Sequence, residues 1–435
     1  MSSSTLNAMP NEHATHLHDA TSGHRNDSPV CRACRAPLEH TFVDLGMSPL
    51  CESYLTAPQC NAMEPFYPLR VFVCHQCWLV QLLEYVSASD IFSHYAYFSS
   101  YSDSWLKHAQ RYVEGIIPRL GLKPEDQVVE IASNDGYLLQ YFVQRGHQAL
   151  GIEPAANVAE AAVKKGVPTR VAFFGTRLAQ QLVDEGIRAR LLLGNNVLAH
   201  VPDLNDFVAG MKLLLAPTGT ITMEFPHLQR LIEGNQFDTI YHEHFCYFSL
   251  LAVAAVFRKH GLKIFDVEEL PTHGGSLRIY ATHAGRSEVA ETGRFAELQG
   301  RERQLGYDRL AAYQTFRRQV EETKWKLLEF LIQVRRAGKQ VAGYGAPGKG
   351  NTLLNFCGIR TDLVDYTVDR NPFKHGKFLP GTHIPIFAPD RIRETRPDYV
   401  LILPWNLRDE IIAQLSFIRE WGGKFVVPIP QLEVL

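Results

Sequence analysis

The chain lacks what would commit it to a membrane or to nucleic acid. No apolar run approaches the ~18 residues that cross a bilayer. The formal net charge is −2 over 435 residues, so there is no basic field for a phosphate backbone or an anionic lipid surface. The first twenty residues, MSSSTLNAMPNEHATHLHDA, lack the basic and apolar regions of a signal peptide. A cytoplasmic protein is expected, with no membrane and no nucleic-acid partner. In that reducing setting the eight cysteines are not expected to form disulfides. A glycine-rich phosphate turn is also missing from the first strand–helix junction, and that absence narrows the ligand, as shown below.

What is present is ordinary for a globular protein: 46% hydrophobic and 21% charged residues, in a chain too long for one core. Residues 1–30, rich in Ser, Asn, His and Asp, read as a disordered tail carrying His13, His16, His18 and His24. Residues 31–85 read as a small cysteine module. Within residues 86–288, DSWLKHAQRYVEGII places Trp105, Leu106, Ala109, Tyr112 and Ile116 on one helical face. From residue 127 strands and helices alternate (QVVEIA, ALGIEP, RLLLGNN, GTITMEF, GLKIFDVEEL, GGSLRIYATH), which implies a mostly parallel, doubly wound sheet. Residues 289–338 read as a long amphipathic helical connector, with Tyr313, Phe316, Val320, Leu327, Leu331 and Val334 at helical spacing. A second α/β rhythm fills 339–435.

Cys31-x-x-Cys34 and Cys74-x-x-Cys77 supply four thiolates at a spacing that lets each pair face one tetrahedral ion. The expectation is structural Zn2+, with no open position for catalysis. Cys51 and Cys60 lie between the pairs as the alternative ligands.

VVEIASNDGYLL places Glu130 on a strand and Ser133, Asn134, Asp135 and Gly136 in the turn after it, and LGIEPA ends the next strand with Glu153. A carboxylate there is placed for ribose hydroxyls. A polar turn with one glycine suits a ligand with a ribose and no phosphates, such as S-adenosylmethionine. GYGAPG, with Gly343, Gly345 and Gly348, formally matches G-x-G-x-x-G, and Lys349 follows it. Backbone amides at that helix start suit a pyrophosphate, whether in a dinucleotide or in a nucleotide-linked substrate. Finally, TIYHEHFCYFS sets Tyr241, His242, Glu243 and His244 side by side. In an extended segment His242 and His244 share one face. A metal site, a proton-transfer site and a packed aromatic loop all remain open.

In combination these motifs, with YAYFSSYSDSW, NNVLAHVPDL, THGGSLRIY and GYGAPGKGNTLLN, resemble the sugar C-methyltransferases of deoxysugar biosynthesis, from Cys31 to the C-terminus. The resemblance implies an α/β protein: a class I methyltransferase Rossmann-like core, a small N-terminal zinc module and a C-terminal Rossmann-like domain that helps hold a nucleotide sugar. It implies methyl transfer from S-adenosylmethionine to a carbon, C3 by expectation, of a nucleotide-linked 4-keto-6-deoxyhexose. His244 is then the base, with Glu243 and Tyr241 orienting it or holding sugar hydroxyls. Asn196, His200 and Tyr95 face the reaction centre, Asn195 stands beside the cofactor, and Tyr97 and Asn351 meet the substrate. A monomer is expected. The competing readings are a nicotinamide-dependent sugar dehydrogenase built on the Gly343 loop and a non-catalytic nucleotide-sugar binding protein.

Overall fold

The computed structural model describes residues 29–87 and 99–435. Three sheets, of four, seven and six strands, carry the architecture. Strands β1 (His40–Ser48), β2 (Tyr67–Val73) and β3 (Val80–Leu82) form an antiparallel sheet. Its fourth strand is not local: Cys246–Tyr247 pairs with β3, so the N-terminal module is completed from 160 residues downstream.

The two Cys-x-x-Cys pairs fold into matching turns. Cys31 N donates to Ala36 O (2.7 Å) and Cys74 N to Leu79 O (3.0 Å); Arg35 N donates to Cys31 O (2.9 Å) and Trp78 N to Cys74 O (3.0 Å). Arg35 and Trp78, each one residue past its second cysteine, take left-handed φ of 70° and 61°. The four sulfurs lie within 4.8 Å of one another, and Cys31–Cys77 and Cys34–Cys74 are each at 3.5 Å. Tetrahedral Zn–S bonds of ~2.3 Å place sulfurs about 3.8 Å apart, so the donor set fits structural zinc. Gln81 Nε2 lies 3.1 Å from Cys31 Sγ, where it supports a thiolate. Cys51 and Cys60 stand outside this cluster.

The core contains β4 (Val128–Ile131), β5 (Ala149–Glu153), β6 (Thr169–Val171), β7 (Ala189–Asn195), β8 (Leu215–Pro226), β9 (Cys246–Tyr247, the strand lent to the first sheet), β10 (Leu262–Leu270) and β11 (Ser276–His283). The order is β10-β11-β8-β7-β4-β5-β6, and β11 pairs antiparallel with both its neighbours. β4 is buried along its whole length, as a strand covered by helices on both faces must be. Chain order reverses between β4 and β7, which opens a crevice at their carboxyl ends. The helix Asp103–Leu120 crosses nearby; Ser102 caps it and Gly121, at φ 59°, ends it.

The connector is three helices, Gly293–Gln304, Leu310–Gln314 and Phe316–Arg336, instead of one. The break falls at Gly306, φ 82°. All six stripe residues are buried. Glu302, at the end of the first helix, is fully buried and accepts from Leu250 N (2.7 Å), Leu251 N (2.8 Å) and His227 Nε2 (2.8 Å). It thereby caps the helix that follows TIYHEHFCYFS. The last sheet runs β14-β13-β12-β15-β16-β17, from β12 (Val341–Tyr344), β13 (Tyr366–Val368), β14 (Ile386–Phe387), β15 (Tyr399–Ile402), β16 (Lys424–Val427) and β17 (Glu433–Val434), parallel except for β17. Among the described residues no helix is long and apolar enough to cross a membrane.

The sulfur geometry predicts one tightly held zinc per chain by elemental analysis. Cys34→Ser should lose it and expose 31–85 to limited proteolysis; a variant that keeps its protease resistance without metal would contradict this.

Candidate active site

The cofactor end is built at the tip of β4. Ala132 (φ 56°), Asn134 (φ 49°) and Gly136 (φ 74°) are left-handed, which turns the chain sharply out of the sheet. Only Gly136 is crowded: a Cβ there would stand 3.0 Å from Val167 Cγ2. Asn134 N donates to Glu153 Oε2 (3.0 Å) and Ala155 N to Oε1 (2.9 Å), so Glu153 is presented at the end of β5. Ser99 N closes on Asn134 Oδ1 at 2.8 Å. Glu130, Glu153 and Asp135 crowd one another. Burial first, then the charges of Glu153 and Asp135, pushes the Glu130 carboxyl well above its ordinary range. Among the described residues Ser133 Oγ and Asp135 Oδ1 are buried without a hydrogen-bond partner, while Asp135 Oδ2 accepts from Lys165 Nζ at 2.8 Å. Clustered acids and orphaned oxygens call for a cationic ligand with donors. S-adenosylmethionine, with its sulfonium, ammonium and ribose, fits.

The reacting end is the loop 239–249. His244 N donates to Tyr241 O (2.9 Å), so the segment is a turn. The expectation of an extended segment with both histidines on one face is corrected. His242 is buried against the N-terminal module, with Nε2 3.3 Å from Pro68 O and its ring edge-on to Tyr67 at 5.8 Å. His244 packs instead among Tyr241 (4.1 Å), His200 (4.7 Å) and Tyr247 (6.1 Å). Among the described residues no metal-ligand cluster includes either histidine.

His244 Nδ1 lies 2.9 Å from Thr239 O. A carbonyl only accepts, so the proton sits on Nδ1 and Nε2 keeps its lone pair. Burial pushes the His244 pKa well below the usual imidazole range, and His200, His273 and Lys349 push the same way. Burial also takes His200 down to about 4. The orienting group is therefore the Thr239 carbonyl, not Glu243. The Glu243 carboxyl meets Cys51 Sγ at 3.8 Å, and burial together with Glu52 raises it to about 8.

The two ends meet past the tip of β7. Asn195 Nδ2 reaches Tyr137 OH (3.4 Å) on the cofactor side. Asn196, left-handed at φ 54°, reaches His273 Nε2 (3.0 Å). Tyr95 and Tyr97 lie outside the described residues.

The Gly343 loop does not form an open phosphate cradle. A Cβ on Gly343 would meet Thr367 Oγ1 at 2.8 Å, on Gly345 Pro404 Cδ at 2.6 Å, and on Gly348 Cys51 Sγ at 2.8 Å. Tyr54 OH (2.6 Å) and Lys374 Nζ (2.8 Å) close on Ala346 O, and Ala346 N donates to Asp369 Oδ2 (2.7 Å). Asn351 Nδ2 donates to Cys51 O (2.6 Å). Gly343 and Gly345 pack within the C-terminal domain, against Thr367 and Pro404, and Gly348 and Asn351 pack that domain against Cys51 of the cysteine module. Lys349 differs. Its Nζ lies 2.9 Å from Asn406 Oδ1 and 4.7 Å from the Trp405 ring, and its charge acts on His244 and His273. It belongs to the reacting end.

Sequence reasoning missed Thr239, His273, Trp105 and Glu224. The Glu224 carboxylate, at the end of β8, takes His108 Nε2 (2.9 Å), Arg278 (2.6 Å) and Thr272 Oγ1 (3.0 Å). Burial pushes it up, but His108 and Arg278 outweigh that and hold it at about 2. The one visible signal was the pair of glycines following His273 in THGGS.

Three family models match: "Putative zinc binding domain" over 31–92, "Methyltransferase domain" over 105–267 and "C-methyltransferase C-terminal domain" over 271–430. C-methyltransferase NovU of Streptomyces niveus is 37% identical over 405 residues, which is 93% of this chain and 96% of NovU. Among solved structures, magnesium protoporphyrin IX methyltransferase of Synechocystis PCC 6803 is 16% identical, covering 42% of this chain and 82% of its own, at a TM-score of 0.32. An S-adenosylmethionine-dependent methyltransferase from Clostridium acetobutylicum is 11% identical, covering 41% and 92%, at 0.34.

The acid cluster predicts a pH-dependent preference for the cation. Below its raised pKa Glu130 is protonated and neutral. As pH rises through that pKa the carboxylate forms and attracts the sulfonium. Calorimetry at rising pH should show S-adenosylmethionine gaining on S-adenosylhomocysteine by about tenfold, roughly 1.4 kcal/mol, once that carboxylate forms. Glu130→Gln should flatten the trend.

Proposed function

The chain belongs to the S-adenosylmethionine-dependent C-methyltransferase family, with a class I methyltransferase core and an N-terminal zinc module, and from that premise we propose that its acceptor is C3 of a nucleotide-linked 4-keto-6-deoxyhexose. The C–H beside a ketone is too weakly acidic to ionise unaided near neutral pH. A positioned base must take the proton while donors meet the charge that develops on the ketone oxygen.

The observation that carries this reading is the Thr239 O–His244 Nδ1 hydrogen bond, which leaves Nε2 as a neutral base in a crowded cleft. In the proposed step His244 Nε2 takes the C3 proton. The electron pair moves through C3–C4 onto the C4 oxygen, where Lys349 is placed to meet the negative charge. His200, whose ring lies 4.7 Å from His244, shields the base and bounds the sugar. Glu243 is protonated at neutral pH and donates to sugar oxygens beside Cys51. S-adenosylmethionine, when bound, supplies the electrophilic methyl group that C3 attacks. The acceptor is enclosed by all three domains: Glu52 from the zinc module, the loop 239–249 from the core, and Lys349 from the C-terminal domain. The similarity to NovU, a C-methyltransferase, supports carbon as the acceptor atom.

The test is solvent exchange. With dTDP- and GDP-linked 4-ketosugars the protein should catalyse deuterium incorporation at C3 and add one methyl mass when the donor is present. His244→Asn should bind S-adenosylhomocysteine normally and lose exchange by at least about a hundredfold, the scale of a positioned base. Unchanged exchange would remove His244 from the role.

A further inference from the structure

Two residues facing each other across the cleft share a rare backbone conformation. Asn196 and His273 both sit at φ 54°, where side chains other than glycine are strained. The turn 272–275 holds three successive positive φ values: 54° at His273, 90° at Gly274 and 121° at Gly275. Its surroundings permit little else. Gln236 Nε2 donates to Gly274 O (2.7 Å), Gly275 N to Thr272 O (2.8 Å), and Ser276 Oγ to Thr272 O (3.0 Å). A Cβ on Gly274 would stand 2.7 Å from the Trp405 ring, and on Gly275 2.6 Å from Arg230.

A single residue anchors both strained partners. The Glu224 carbonyl accepts from Asn196 N at 2.7 Å, and the Glu224 carboxylate accepts from Thr272 Oγ1 at 3.0 Å. The consequence is a hydrogen bond of 3.0 Å between Asn196 Nδ2 and His273 Nε2. An amide nitrogen only donates, so the His273 ring must accept there and carry its proton on Nδ1. Protein crowding, with the charge of Lys349, lowers its pKa to about 4 and keeps it neutral. The Trp105 ring, 5.0 Å away, backs the imidazole. With Nδ2 engaged, Asn196 Oδ1 is fixed, and it is buried with no hydrogen-bond partner among the described residues. Its chain neighbour Asn195 reaches Tyr137 OH on the cofactor side at 3.4 Å, and His200, four residues on, has its ring 4.7 Å from His244.

We propose that His273 is a positioning residue that locks the Asn196 amide, so that Asn196 Oδ1 receives the sulfonium methyl group of S-adenosylmethionine through C–H···O contacts. A methyl carrying positive charge is attracted to an amide oxygen and repelled by an amide N–H. The strain in the two backbones keeps the oxygen in place before the ligand arrives. The inference rests on S-adenosylmethionine as methyl donor and does not depend on the sugar.

The test uses the binary complex with S-adenosylmethionine carrying a 13C methyl, followed by NMR. In the wild-type protein the methyl proton resonance should move downfield from its free position. Asn196→Ala and His273→Ala should both return it most of the way while S-adenosylhomocysteine affinity changes less than about threefold, under ~0.7 kcal/mol. His273→Gln, whose side-chain oxygen accepts from Nδ2, should retain the shift. A wild-type shift in His273→Ala, or a loss in His273→Gln equal to that in His273→Ala, overturns the proposal. Should His273→Ala fail to bind, His273→Gln against Asn196→Ala decides: kept in the first and lost in the second supports the lock, and any other pattern overturns it. No acceptor is present, so a wrong acceptor class leaves the result untouched.

Discussion

The hydrogen bond from His244 Nδ1 to the Thr239 carbonyl is the constraint on which the proposed chemistry depends. It chooses the tautomer, and the tautomer chooses which nitrogen is a base. A backbone carbonyl does this without adding a charge. A carboxylate partner would favour the imidazolium and raise the pKa, whereas here burial and the charge of Lys349 keep the ring neutral. The same burial makes the bond costly to misplace, because an unpaired Nδ1–H in that position would carry an uncompensated desolvation penalty.

A carbonyl orients a side chain only if the backbone around it is held, and three domains hold this one. On one side Asp238 Oδ2 accepts from Trp405 Nε1 at 2.7 Å and Ile240 O accepts from Thr352 Oγ1 at 3.0 Å, both from the C-terminal domain. On the other side Cys246–Tyr247 is the edge strand of the zinc-module sheet, and Leu82 N donates to Phe245 O at 3.0 Å. From within the core Phe245 N donates to Ala199 O at 2.8 Å, and Glu302 caps the following helix. The four-sulfur module thus holds the sheet whose edge strand continues directly from the proposed catalytic loop.

Features set by local periodicity could be read from the sequence. The paired cysteines announce a tetrahedral site, the β-branched runs announce a parallel sheet, and Glu153 ends the second strand, where a ribose is expected. Features set by tertiary packing could not. GYGAPG has the spacing of a phosphate loop, yet Gly345 is required by Pro404 and Gly348 by Cys51, contacts from 59 residues later and almost 300 earlier in the chain. YHEHF reads as extended until one turn sends His242 into the zinc module and His244 into the cleft. The glycines after His273 mark a turn, but the pairing of His273 could not be read, because its partner lies 77 residues away and its backbone conformation is set by packing.

The most direct measurement of the central claim is 15N NMR of histidine-labelled protein, with His244 assigned by comparison with His244→Asn. The account predicts a neutral ring with its proton on Nδ1 and an unprotonated Nε2, persisting as pH falls through 6.5 to well below it. An imidazolium at neutral pH, or a proton resident on Nε2, would contradict it.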